Sequence, residues 1–322
     1  MFYTAVYAFI AALLFTVMGC VIHINICRRK QLGQYIREDG PDGHEKKAGT
    51  PTMGGAVFIT VSIIVGLLLI GPAKDAMVIY FVILACGTIG FIDDYIKIFK
   101  NRSLGLKARS KLAGLVLITA GIIIMLHYFG LYSTELLLPV VNRVFDIGVL
   151  YPLFLLLLLT GFSNSVNLTD GLDGLAAGVS ALSIMAYVFI GLWSNQDSIV
   201  IISVILVAAL VGFLFYNRYP AKLFMGDTGS LSLGGALTAL AVVTKTELFL
   251  VIIGGVFFIE ALSVIIQVIS FKTTGKRIFL MSPLHHHFEK KGWSEQMIVI
   301  MFWFLTLVLA IVGLYAYNRA IQ

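Results

Sequence analysis

The chain has 322 residues, 59% of them hydrophobic and 12% charged, with a formal net charge of +6 and a mean hydropathy of +0.96. A soluble domain carries about 25% charged residues, so this composition excludes an ordinary soluble protein and asks for a polytopic membrane domain. Cys20, Cys27 and Cys86 lie in or beside apolar runs and supply neither a disulfide framework nor a paired metal spacing.

A helix that crosses the hydrocarbon layer needs about 20 apolar residues. Ten runs read as such helices: 3–27, 53–71, 76–94, 111–130, 150–163, 174–193, 198–216, 230–244, 248–270 and 297–317. The first is longer than the ~7–15 residues of a signal h-region and has no basic segment before it, so it is expected to be a retained helix. Gly254 and Gly255 predict a bend in the ninth run. Before the fifth, "STELLLPVVNRVFDIGVLY" has two apolar-rich stretches around Asn142-Arg143, the pattern of a small external hairpin. Residues 1–322 are expected to form one all-α transmembrane domain.

The loops after the odd-numbered runs hold 19 of the 23 Lys and Arg residues; the other loops and the ends hold only Lys74, Arg143, Lys245 and Arg319. Basic loops stay in the cytoplasm, so both ends of the chain are expected outside, as an even number of crossings requires. The unusual chemistry sorts the same way. "KKAGTPTMGG", "DDYIKIFK", "NLTDGLDGLAAG", "NRYPAKLFMGDTGS" and "SPLHHHFEKKGW" all fall on the expected cytoplasmic side.

In "NLTDGLDGLAAG", Asn167, Asp170 and Gly171 share a helix face if a helix begins there. Asn and Asp offer the donors and acceptors that pair with a nucleobase edge, while Asp173 serves equally as a helix cap. In "MGDTGS", Asp227 stands at a glycine-bearing turn before a helix, a natural anion site. An acid there suits Mg²⁺, which is held by one or two carboxylates plus substrate phosphates; the plain alternative is an N-cap. Adjacent histidines diverge by about 100° on a helix, so one metal on His285, His286 and His287 is not expected. Hydrogen bonds to phosphate or sugar oxygens, with Lys290 and Lys291 adding positive potential, fit better. "KKAGTPTMGG" suits phosphate contact or a lipid-binding patch. Glu260 is the one acid deep in an apolar run and asks for a partner.

Asp93 and Asp94 sit where the third run meets polar sequence. Asp93 reaches Lys97 at i+4, whereas Asp94 reaches it only at i+3. A division of labour follows: Asp93 to deprotonate or orient a phosphate, Asp94 to support the cationic cluster. The alternative is that both merely cap or flank the helix.

Together these motifs resemble the polyprenyl-phosphate hexosamine-1-phosphate transferase superfamily, and "PLHHHFEKKGW" narrows the resemblance to the bacterial phospho-N-acetylmuramoyl-pentapeptide transferases. It covers nearly the whole chain. It implies ten transmembrane helices in the bacterial plasma membrane, external termini, a cytoplasmic Mg²⁺-dependent site and a homodimer. The implied reaction moves phospho-MurNAc-pentapeptide from its UDP carrier to undecaprenyl phosphate, giving lipid I and UMP. Membrane lipid is a further implied partner; nucleic acid is not. By resemblance Asp227 is the magnesium ligand, and Asp93, Asp94, His286 and His287 join it as catalytic groups. The nucleoside pocket maps to Asn167, Asp170, Gly171, Leu172, Asn217 and Phe224, and further substrate contacts to Lys47, Thr52, Lys97 and Lys111, with Lys107 and Arg109 close by. The rivals are a sister transferase taking UDP-GlcNAc, against which the histidine loop speaks, and a nucleotide-sugar transporter. A transporter tends to place its polar residues near the midplane, and here only Glu260 is deep.

Overall fold

The computed structural model describes every residue except 31–32, 34–48, 101–104, 140 and 142. Among the described residues the chain is almost wholly helical: α1 (Phe2–Arg29), α2 (Gly55–Leu69), α3 (Lys74–Phe99), α4 (Ala108–Phe129), α5 (Tyr151–Thr169), α6 (Leu175–Trp193), α7 (Asp197–Asn217), α8 (Gly226–Val243), α9 (Glu247–Ile253), α10 (Gly255–Thr274), α11 (Leu284–Lys290) and α12 (Glu295–Ala320). Strands β1 (Glu135–Leu137) and β2 (Val144–Asp146) pair antiparallel between α4 and α5, with Leu136 opposite Phe145. This is the hairpin expected around Asn142-Arg143.

Each expected apolar run coincides with a helix. The ninth is divided at Gly254, which ends α9 and precedes α10. Eight of the helices are long and apolar enough to cross a membrane. The two runs that fall short do so for different reasons. α2 has only 15 residues. α8 has 18, but its first half, "GDTGSLSLGG", dilutes the hydropathy with small and polar residues.

Burial explains that composition. Residues 227–243 of α8 are all buried, so this helix is surrounded by protein and not by lipid. It packs on α3 and α5, while α6 pairs with α7, α1 lies on α7, α12 on α6, and α10 on α5. Small residues let helices approach closely where no hydrophobic force drives them together. A Cβ at Gly90 of α3 would overlap the Asp227 carbonyl, and one at Gly87 would press on Ser232. The outer helices are reversed: α1 and α12 turn Tyr3, Phe15, Ile300 and Phe304 outward. Buried hydroxyls inside the bundle, such as Thr169 and Thr238, donate to carbonyls one turn back, which satisfies them without water.

The close approach of α3 and α8 sets the site. It brings the last turns of α3, with Asp93, Asp94 and Lys97, against the first turn of α8. The segment before α2 is tied to the same corner: Phe224 N donates to Pro51 O at 2.8 Å, Gly54 N to Phe224 O at 2.9 Å and Gly55 N to Met225 O at 2.9 Å.

Candidate active site

Four charged side chains form a closed ring at this corner. Lys97 Nζ lies 2.7 Å from Asp93 Oδ2 and 2.9 Å from Asp227 Oδ1. Lys111 Nζ, from the start of α4, lies 3.0 Å from Asp93 Oδ1 and 2.7 Å from Asp227 Oδ2. Each lysine therefore bridges both acids, and every carboxylate oxygen of the pair faces an ammonium group. Of the three cations close together in the sequence, Lys111 is the one directed here; Lys107 and Arg109 are exposed. Asp93 also accepts Leu106 N at 2.7 Å. Asn167, from α5, donates to Asp227 Oδ1 at 3.0 Å and to Ser230 Oγ at 2.9 Å.

Asp94 has a different task. Its Oδ1 accepts Asp227 N at 3.0 Å, and its Oδ2 accepts Thr228 N at 2.9 Å and Thr228 Oγ1 at 2.7 Å. A helix leaves its first N–H groups without partners, and here α3 supplies the cap of α8. Asp94 was expected to support the cationic cluster; instead it serves the start of α8, and among the described residues it makes no ion pair with Lys97. The capping alternative for Asp227 fails on the same geometry. Asp227 stands inside the first turn, Asp94 caps that turn, and the Asp227 carboxylate is left to face Lys97, Lys111 and Asn167.

One oxygen from each of Asp93, Asp94 and Asp227 lies within 4.8 Å of the others. A hard divalent cation takes oxygen ligands of this kind. Both Asp94 oxygens already hold backbone N–H groups, and the Asp93 side chain is only 1% exposed against 12% for Asp227. Asp227 is thus the acid most open to an arriving ligand, and the three carboxylates together are a donor set that could hold a metal ion.

The other expected residues fall around this centre. Asp170 closes α5. Burial, then the Asp227, Asp94 and Asp173 carboxylates, push its carboxyl up to about 7. Gly171 is partly buried and Leu172 is buried in the same turn. Asp173 does not cap α6; its Oδ2 accepts Ala221 N at 2.9 Å. Asn217 spends both ends of its amide on the backbone, accepting Gly174 N at 3.1 Å and donating to Leu223 O at 2.9 Å. It binds the 170–174 turn to the 218–224 loop instead of presenting a free amide. Phe224 is half-buried on that loop. Thr52 is buried, and its carbonyl accepts His23 Nε2 at 2.8 Å. Lys47 lies outside the described residues.

The histidine loop forms the short helix α11. His286 Nδ1 is 2.5 Å from Glu289 Oε2, and His287 Nδ1 accepts Leu280 N at 3.1 Å, so both rings are engaged within their own segment. Partial burial and Lys291 push the His287 imidazole down. His285 reaches another motif: it is packed on Gly171. Its depth could not be read from "HHH". The one signal was Glu260, whose partner proves to be His285.

Residues 76–245, which contain the whole acid–lysine ring, match the glycosyl transferase family 4, and residues 47–59 match phospho-N-acetylmuramoyl-pentapeptide-transferase signature 1. The phospho-N-acetylmuramoyl-pentapeptide-transferase of Bacillus subtilis (strain 168) is 49% identical over 307 residues, 94% of each chain. Those of Anoxybacillus flavithermus and Geobacillus sp. (strain WCH70) are also 49% identical, over 94% and 96% of this chain and 95% and 97% of their own. The chain belongs to the phospho-N-acetylmuramoyl-pentapeptide-transferase family. This transferase is a multi-pass protein of the bacterial plasma membrane. Its family signature overlaps the 51–55 segment that pairs with residues 224–225, next to the ring.

Proposed function

We propose that the acid–lysine ring is the phosphoryl-transfer centre, at which phospho-MurNAc-pentapeptide passes from UDP to undecaprenyl phosphate. The observation that carries this is the double bridge of Lys97 and Lys111 between Asp93 and Asp227. Transfer between two phosphate groups needs positioning and charge neutralisation more than covalent help. An oxygen of the lipid phosphate attacks the β-phosphorus of the nucleotide sugar. The bond from that phosphorus to the bridging oxygen breaks, and UMP leaves with its electron pair. The lipid product keeps a diphosphate.

Asp227 would hold Mg²⁺, with Asp93 nearby, and the ion would neutralise the diphosphate and leaving group. The chain's own residues supply the rest. Lys97 and Lys111, partly exposed, turn from the acids toward the phosphates. Asp93, held between them, aims both and orients the lipid phosphate. Asn167, Asp170, Gly171 and Leu172 form one wall of the nucleoside pocket, and Asn217 fixes its shape. Phe224, Thr52 and Lys47 lie on the segments that close it, and His286 and His287 meet the sugar or phosphate oxygens from α11. The site faces the cytoplasm, where the basic loops lie, and both termini are external in a homodimer.

The test is purified protein in lipid nanodiscs with undecaprenyl phosphate and either UDP-MurNAc-pentapeptide or UDP-GlcNAc, scoring UMP release. Turnover with the first substrate alone, abolished by a chelator and restored by Mg²⁺, is expected. Turnover with UDP-GlcNAc, or indifference to the chelator, refutes the corresponding part.

A further inference from the structure

Glu260 is fully buried in α10, six residues past the break at Gly254, and three N–H groups converge on its two oxygens. Leu284 N lies 2.7 Å from Oε2; His285 N and His285 Nδ1 each lie 3.2 Å from Oε1. A buried acid in an apolar helix is tolerated when donors satisfy it in this way. All three donors belong to the start of α11, so this acid fastens the histidine helix to α10.

The same contact orients one ring. Nδ1 faces a carboxylate oxygen and is therefore the donor. Nε2, at the far edge, is buried and has no hydrogen-bond partner among the described residues. It lies against Gly171, where even a methyl group would overlap it. The His285 ring thus fills the space a side chain at 171 would occupy, with Glu260 on one edge and the backbone of the 170–172 turn on the other. Because residue 171 is glycine, nothing intervenes, and a shift of the ring is passed directly to the turn.

We propose that Glu260 is a positioning residue that acts through His285 to set the substrate-binding turn Asp170–Leu172. The inference rests on the reading of that turn as part of the nucleotide-sugar pocket. Its effect falls on binding of the nucleotide sugar and not on the phosphoryl-transfer centre. The acid–lysine ring stands on α3, α4 and α8, none of which carries Glu260 or His285.

The experiment measures kcat, and KM for UDP-MurNAc-pentapeptide and for undecaprenyl phosphate, in Glu260→Gln, His285→Ala, the pair combined, Gly171→Ala and Gly171→Ala with His285→Ala. Asp170→Asn is the reference for the pocket. Gln keeps the shape of Glu260 but turns one acceptor into a donor facing N–H groups. We expect Glu260→Gln and His285→Ala each to raise KM for the nucleotide sugar about tenfold, with KM for the lipid unchanged and kcat little altered. The combined variant should be no worse than His285→Ala alone, since both remove one linkage. Gly171→Ala should damage binding in the presence of His285 and add nothing once His285 is Ala. A wild-type KM in Glu260→Gln overturns the proposal, as do losses that multiply in the combined variant or a parallel rise in both KM values. If Glu260→Gln does not fold, the Gly171→Ala pair decides alone. A raised KM in Asp170→Asn beside a normal Glu260→Gln sinks only this inference. A normal KM in Asp170→Asn sinks the pocket reading and this inference together.

Discussion

The two ends of α8 each hold a carboxylate against a lysine, and they are built in opposite ways. At the start, Asp227 shares two lysines with Asp93, and the four groups come from α3, α4 and α8. At the finish, beyond Val243, Lys245 reaches Glu247 only two residues away at 3.1 Å. There the ammonium group also donates to Ser133 O at 3.0 Å and stands 4.6 Å from the Tyr151 ring centre, while Tyr151 Oη donates to the same Glu247 oxygen at 2.7 Å. In the second cluster the ion pair itself is local. The cluster ties the segment before β1 and the start of α5 to the α8–α9 turn, and it leaves Glu247 Oε2 buried without a hydrogen-bond partner among the described residues. The first cluster spends every Asp93 and Asp227 oxygen on partly exposed cations drawn from separate helices. A buried ion pair by itself is weak evidence of either stability or function. What distinguishes the two is a charged ring whose ion pairs join distant segments and a partly exposed acid, and both belong to the start of α8.

The sharpest way to break this contrast is to remove the charge of each acid in turn. Asp227→Asn keeps the size of the side chain and removes one of the two negative charges that Lys97 and Lys111 share. Turnover should fall at least about a hundredfold, with the thermal midpoint close to wild type, because Asp94 and not Asp227 caps α8. Near-normal turnover at low Mg²⁺ would move the metal site elsewhere. Lys97→Met and Lys111→Met come next, each lowering kcat about ten- to a hundredfold in the UMP-release assay. Equal effects are expected because each lysine makes the same two contacts. A strongly unequal pair would show that the ring, as a unit, is not what the reaction uses.

Glu247→Gln is the counterpart at the other end and should reverse the pattern. The Tyr151 hydroxyl keeps an acceptor, and Lys245 is exposed enough to turn to water. The loss should be about 1–2 kcal/mol of stability, read as a fall of a few degrees in the unfolding midpoint, with kcat and both KM values unchanged. A loss of turnover with intact stability would make the second cluster functional and erase the distinction.

How much of this contrast was legible in the sequence follows from the range of each interaction. The Asp93–Lys97 pair is an i+4 contact and could be read directly, as could the hairpin around Asn142-Arg143 and the break at Gly254. Asp227 could be singled out by its glycine-bearing turn, but its freedom from capping duty could not. The true cap, Asp94, stands 133 residues earlier, and only the packing of α3 on α8 brings it there. The same limit hid His285, tied to an acid 25 residues before it. α8 shows the converse. Its small polar residues look like poor membrane sequence, and only its burial among other helices explains them.

The smallest expected effect sharpens the electrostatics of the start of α8. Among the described residues Asp170 is in no ion pair with a lysine; Lys97 lowers its carboxyl only weakly, and burial together with the Asp227, Asp94 and Asp173 carboxylates raises it to about 7. A carboxyl raised above its unfolded value contributes stability that is fully present below the ordinary carboxylate range and is lost as pH rises through the folded value. In substrate-free protein without a divalent ion, that loss should run from about pH 4 to about pH 7 and level off above it. Asp170→Asn has nothing to ionise there, so its unfolding midpoint should fall less than that of the wild type across the same interval, and the two curves should converge toward lower pH. Adding Mg²⁺ should flatten the wild-type curve, since a cation on Asp227 offsets the repulsion that raises Asp170. Parallel curves for the two proteins, with or without the ion, would mean that Asp170 does not feel the acids around Asp227. The pocket turn and the phosphoryl-transfer centre would then be electrostatically separate, and the start of α8 would be no more integrated than its finish.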